Sequence, residues 1–299
     1  MRSVLKIAAG SIAAGILVFG CKMLAAKVSL STALYSDALE ALVNVASSSL
    51  ALYALIAAEK PADAQHPYGH AKVELLSAVA TGGMILVAAV LIFQHATASL
   101  PHPHPLQPLT GGLGIGLVLN GLAGVVNAGW AALLFVIGKR ERSPALTADA
   151  KHLLSDVMTT IGIVVALVGA ALLHFPILDP IIALLIAAQI AYMGAETVIR
   201  SLSGLLDEAP PAEMQARIQA LVRSHAIGAI EAHDLRIRQA GRASFLEFHL
   251  VVPGEMSVHE SHDICDRIEE ALRAEMEGVV ITIHVEPPEK AKVDGALVP

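Results

Sequence analysis

The residues best equipped for chemistry sit inside stretches that should carry only apolar side chains. One runs Ser36-Asp37-Ala38-Leu39-Glu40-Ala41-Leu42-Val43-Asn44-Val45, the other Ala148-Asp149-Ala150-Lys151-His152-Leu153-Leu154-Ser155-Asp156-Val157. The same pattern occurs in both: Asp-Ala, then Glu or His two residues on, then Asn or Asp four further, then Val. A spacing of four places Glu40 and Asn44 on one helix face, and His152 and Asp156 on one face of another. Facing each other, the pairs offer an imidazole nitrogen and three oxygens. With Glu40 and Asp156 ionised and the other two neutral, the set carries a charge that a divalent cation cancels. A tetrahedral set of this kind suits zinc, and its oxygen content also admits iron(II), cobalt or manganese. Emptied in apolar surroundings, two bare carboxylates are costly. Protonation of Glu40, Asp156 or His152 relieves that cost, so metal movement is expected to be coupled to counter-movement of protons. Asp37 and Asp149, three residues before each pair, read as supports. Helix association explains a lone Asn in a membrane, but four polar groups in two copies of one spacing mark function.

A second set lies between two apolar runs, where Asp63, His66 and His70 stand at intervals of three and four beside Gly69 and can converge on a cation. Pro67 and Gly69 read as turn residues.

These residues are positioned by a chain that is 55% hydrophobic and only 16% charged, too apolar to cover itself with polar surface in water. The excess fills residues 4 to 203. Runs near 4–28, 31–58, 72–97, 112–138, 144–173 and 177–203 each reach the roughly 20 residues that a spanning helix needs, and prolines punctuate them. Arg2, Lys6, Lys60, Lys72, Lys139, Arg140, Arg142 and Arg200 fall at one set of helix ends, against Lys22 and Lys27 at the other, which predicts that both termini are cytoplasmic. The first run is read as a retained helix, and Cys21 and Cys265 as inert thiols in different domains. A net charge of -7 without a basic stretch excludes nucleic acid as a partner.

From residue 204 the pattern changes to that of a water-soluble α+β domain. Helices are expected near 211–225 and 257–276, and strands near 230–239, 243–252 and 279–286. Leu246, Phe248 and Leu250 alternate with Glu247 and His249, while Val279, Ile281, Ile283 and Val285 alternate with His284 and Glu286. Residues 291–299 read as a disordered tail.

The paired motif, and the run Asp63-Ala64-Gln65-His66-Pro67-Tyr68-Gly69-His70-Ala71-Lys72-Val73-Glu74, resemble the cation diffusion facilitator family of metal/proton antiporters over nearly the whole chain. The resemblance implies an all-α six-helix transmembrane bundle (1–203) followed by a cytoplasmic ferredoxin-like, metallochaperone-like α+β domain (204–290) that mediates homodimerisation. It implies efflux of a divalent transition metal from the cytoplasm across an inner or plasma membrane. It assigns Glu40, Asn44, His152 and Asp156 to transport, and His233, His249, His262, His284 and Glu286 to a regulatory metal site. The second-span pair departs from the family's usual Asp or His followed by Asp, since Asn44 gives up a charge. That departure leaves open a member that has lost transport and serves as a metal sensor or dimer scaffold. A membrane metallohydrolase is disfavoured, because no His-Glu-x-x-His helix is present.

Overall fold

The computed structural model describes residues 2–103, 105–140, 144–240, 243–276 and 278–292; the side chains of residues 2–6, 8, 55, 138, 140, 144–149 and 151 lie outside that description. The chain forms two compact units, residues 1–56 with 77–199 and residues 57–76 with 200–299.

The first unit holds helices α1 (Arg2–Ser29), α2 (Thr32–Ala58), α3 (Val73–Ser99), α4 (Gly112–Arg140), α5 (Pro144–Leu172) and α6 (Leu178–Leu205), apart from the ends of α2, α3 and α6 that fall in the second. Among the described residues, six helices are long and apolar enough to cross a membrane. Large apolar side chains such as Ile16, Val87, Phe93, Val125, Val165 and Leu185 stay exposed on the outer faces, as a lipid solvent allows. With little hydrophobic drive between helices in lipid, close approach depends on small residues. Gly82 on α3 and Gly194 on α6 show this: a Cβ on Gly82 would stand 3.0 Å from the Gly194 carbonyl oxygen. Inside, Ala33, Leu34 and Ala38 of α2 meet Ile92 of α3, Leu113 of α4, Leu167 of α5 and Ile190 of α6.

Two buried polar contacts order this bundle. Asp179, near the start of α6, accepts hydrogen bonds from the Thr32 and Ala33 amides (2.8 and 2.9 Å) and from the Ser31 hydroxyl (2.6 Å). It thus caps α2 from another helix, satisfying donors that a helix start leaves free. Lys22, counted above among the flanking charges, is instead 3% exposed and paired with Asp37 inside the bundle. It has to be struck from the count of charges at helix ends.

The second unit contains α7 (Ala212–His225), β1 (Glu231–Ala240), β2 (Ala243–Val251), α8 (Val258–Glu275) and β3 (Val279–Glu286). The sheet order is β1-β2-β3, with β1 antiparallel and β3 parallel to β2. The alternation expected from the sequence buries Leu246, Phe248 and Leu250 against Ile218 and Val222 of α7 and Ile264, Ile268 and Leu272 of α8. Ser257 and Glu260 close a capping box at the start of α8. Burial pushes the Cys265 thiol up, which keeps it unreactive.

Residues 57–76 group with this unit rather than with the helices on either side of them. The Lys72 ammonium donates to Asp207 at 2.9 Å, Arg238 reaches the same Oδ1 at 3.2 Å, and the Tyr68 ring stands edge-on to Phe245 at 5.8 Å.

Candidate metal sites

Among the described residues, three groups of potential metal ligands come together. In the bundle, Asn44 Nδ2 donates to Asp156 Oδ2 at 2.8 Å, joining α2 to α5. His152, one turn before Asp156 on α5, brings its Nε2 to 4.0 Å from the same oxygen. Asp156 is buried while His152 is partly open. Glu40, one turn before Asn44, is half-buried and lies within electrostatic reach of Asp156. The two pairs therefore face each other as their spacing predicts. Asp37 is held by Lys22 rather than by the set, and the Asp149 side chain lies outside the described residues.

The loop set is compact. Asp63 Oδ1 accepts the backbone N–H of Gln65 (2.9 Å) and of His66 (2.7 Å), a turn that its short side chain favours. Gly69 supplies φ +82°, and the Asp63 and Gly69 amides each donate to the His66 carbonyl. This brings the His66 and His70 rings to 4.5 Å, with Asp63 carboxylate oxygens 3.4 and 3.5 Å from their nitrogens. The His66 amide, above all, holds the Asp63 carboxyl below the usual range. It stays anionic.

The third set lies on the sheet face opposite the α7/α8 core. Strand register aligns His233, His249 and His284 in one row across the three strands. Neighbouring rings are 5.2 and 5.0 Å apart. Glu286 runs along the row, with oxygens 3.3 Å from His233, 3.2 Å from His249 and 3.7 Å from His284. His262 stands apart on α8, exposed and 3.7 Å from Asp266. Two further carboxylates join that sequence reasoning did not name. Glu231 lies 2.8 Å from His233. Asp234 offers an oxygen within 4.8 Å of ligand nitrogens of His233 and His249. Strict alternation puts Asp234 on the face opposite His233, but a break in register after His233 and φ +52° at Asp234 turn it back. An Asp following His in a strand, tolerant of positive φ, is the weak signal that was available.

Six apolar helices with carboxylates and an imidazole gathered among them, followed by a histidine-lined α+β domain, define an integral multi-pass membrane protein equipped for metal cations. Residues 8–206 match the family model for a cation efflux transmembrane domain, and residues 210–288 match that for the cytoplasmic domain of cation efflux proteins. The chain belongs to the cation diffusion facilitator family. An uncharacterized transporter of Synechocystis sp. is 38% identical over 94% of this chain and 90% of that one. The cation-efflux pump FieF of Yersinia enterocolitica is 33% identical over 86% of this chain and 84% of its own length. A structure of CzrB in its zinc form is 48% identical, covering 29% of this chain and 98% of that one, with a TM-score of 0.28.

Proposed function

We propose that this protein exports a divalent transition-metal cation, zinc first and iron(II), cobalt or manganese as alternatives, from the cytoplasm in exchange for protons. The observation that carries the reading is the joining of the two repeated motifs at Asp156, with Asn44 at 2.8 Å and His152 at 4.0 Å. In this arrangement the Asn44 amide donates to the carboxylate that a metal would neutralise. The cation displaces that hydrogen bond, and Asn44 then presents its carbonyl oxygen. Glu40 and Asp156 supply two negative charges and His152 a nitrogen, a donor set suited to zinc. Protons arriving on the same groups stabilise the vacated site.

Family membership supports placing both termini in the cytoplasm of an inner or plasma membrane, with Asp63, His66 and His70 capturing cargo at the cytoplasmic mouth. It supports a homodimer held through the soluble unit. There His233, Asp234, His249, His284 and Glu286 would hold a resident metal, since two or three imidazoles among carboxylates fit a zinc ion. Bound metal would favour the assembled dimer. His262, remote from the row in its own chain, would reach a site only across a dimer contact.

The test is uptake of zinc, iron(II), cobalt and manganese by proteoliposomes under an imposed proton gradient, with Asp156→Ala alongside. Flux that requires both the gradient and Asp156 is the expected result, and the order of rates ranks the cargo. No flux of any metal, with zinc still bound by the soluble unit, would overturn transport in favour of a membrane metal sensor.

A further inference from the structure

Lys22 is a buried cation that the proposed transport set leaves unused. Its Nζ stands 2.7 Å from Oδ1 of Asp37, and the two side chains are 3% and 1% exposed. The other oxygen, Asp37 Oδ2, makes no hydrogen bond among the described residues. A desolvated ion pair is weak evidence for stability, because well-packed apolar residues often do as well. Charges inside spans are expensive and by default functional.

Side-chain contacts fix where the pair lies. Val18 of α1, Ala41 of α2 and Ala123 of α4 meet in one cluster. Lys22 is one helical turn beyond Val18, Asp37 one turn before Ala41, and Asn120 about one turn before Ala123. α1 and α4 run in opposite directions, since Gly116 stands against Ala25 and Ser29 whereas Gly10 stands against Trp130. The three polar residues therefore form one layer. Glu40 and Asn44 bracket Ala41 on α2, so this layer adjoins the metal set. Glu40 accordingly lies within electrostatic reach of Asp37 and Lys22 as well as Asp156. Asn120 is fully buried, and neither of its side-chain polar atoms is hydrogen-bonded among the described residues. The layer thus holds fixed charge and dipole beside the place where a cation would rest.

The charges sum informatively. Glu40, Asp37 and Asp156 give minus three as carboxylates, and Lys22 returns the total to minus two. We propose that Lys22 is a charge-setting residue of the transport site: by neutralising Asp37 it leaves the net charge that a divalent cation cancels. Without it the site would hold one anion too many, binding metal tightly and releasing it slowly. This inference rests on Glu40, Asn44, His152 and Asp156 being the transport site.

The experiment compares wild type with Lys22→Met, Asp37→Asn, the double variant, and Lys22→Arg, each as full-length protein in proteoliposomes after its folding is checked by thermal melting. Lys22→Met is expected to lower both KM and kcat for zinc severalfold. Asp37→Asn, which leaves an uncompensated ammonium, is expected to raise KM about tenfold. The neutral double variant returns KM to within about twofold of wild type, and Lys22→Arg, keeping the charge, matches wild type. A purely structural pair would move both single variants the same way, or leave KM unmoved while lowering the melting temperature; either result overturns the proposal. If Lys22→Met does not fold, the contrast between Asp37→Asn and the double variant decides. If wild type carries no metal, the transport reading fails, and the inference is judged on cobalt(II) binding. That titration uses the detergent-solubilised full chain with His66→Ala, His233→Ala and His249→Ala, where the same opposed shifts in Kd are required.

Discussion

At the sheet of the soluble unit, a metal ion would meet Asp234 beside His233 and His249. Asp234 adjoins His233, and a two-residue period assigns their side chains to opposite faces of the sheet. The register break and φ +52° bring both to one cluster. If Asp234 is a ligand there, Asp234→Ala should weaken zinc binding at the sheet by about tenfold or more, while Asp263→Ala on α8 should leave it unchanged. Isothermal titration against zinc separates the two, and equal affinities would remove Asp234 from the ligand set. For Glu40, Asn44, His152 and Asp156 the legible part was that helical spacing puts each pair on one face; that Asn44 meets Asp156 across the interface is seen only in the structure. Lys22 was not legible, because a lysine seven residues from a helix end reads as a flanking charge until its partner Asp37 is seen across the interface. Long-range pairing of that kind has no local signal.

The elements were the easier inference. Six apolar runs, most of them bounded by prolines, became six helices with ends close to those expected, since length and apolarity alone define a span. The strands followed from alternation, and Ser257 with Glu260 marks the start of α8 by its capping chemistry. The place of 57–76 was hidden, because it depends on single contacts at distant positions: Lys72 with Asp207, and Tyr68 with Phe245. Those contacts carry a pH dependence. The Lys72 hydrogen bond, followed by that of Arg238, holds the Asp207 carboxyl below the usual carboxylate range. A carboxylate depressed on folding contributes stability above its unfolded pKa, and loses it as pH falls through the folded value. Docking of the segment should therefore hold from neutrality down to about pH 4 and loosen below. Hydrogen exchange at residues 66–74 reads this out, and Asp207→Asn should show the loosened pattern already at neutral pH. Unchanged exchange in that variant would mean that the Tyr68–Phe245 contact suffices.

At the scale of the whole molecule, one face of the soluble unit's sheet is closed by α7 and α8 while the other carries a row of histidines. The bundle gathers its charges at a few buried positions and leaves its outer surface to lipid. The Asn44–Asp156 pair lies in one compact unit, while the loop histidines and the sheet histidines both lie in the other. The hydrogen bond from Asn44 to Asp156 has a bearing on thrift. An exchanger stays tight only if its empty form rarely turns around, and a bare carboxylate pair deters that turn by its desolvation cost. If this protein exchanges metal for protons as proposed, the Asn44 amide's hydrogen bond to Asp156 lowers that cost, so idle turnover is less strongly deterred. Such a machine slips: the metal ratio it sustains across a sealed vesicle should fall short of the ratio the proton gradient permits. Asn44→Asp, lacking the placeholder, should narrow that shortfall, and a plateau no higher in that variant than in wild type would show that the amide permits no leak.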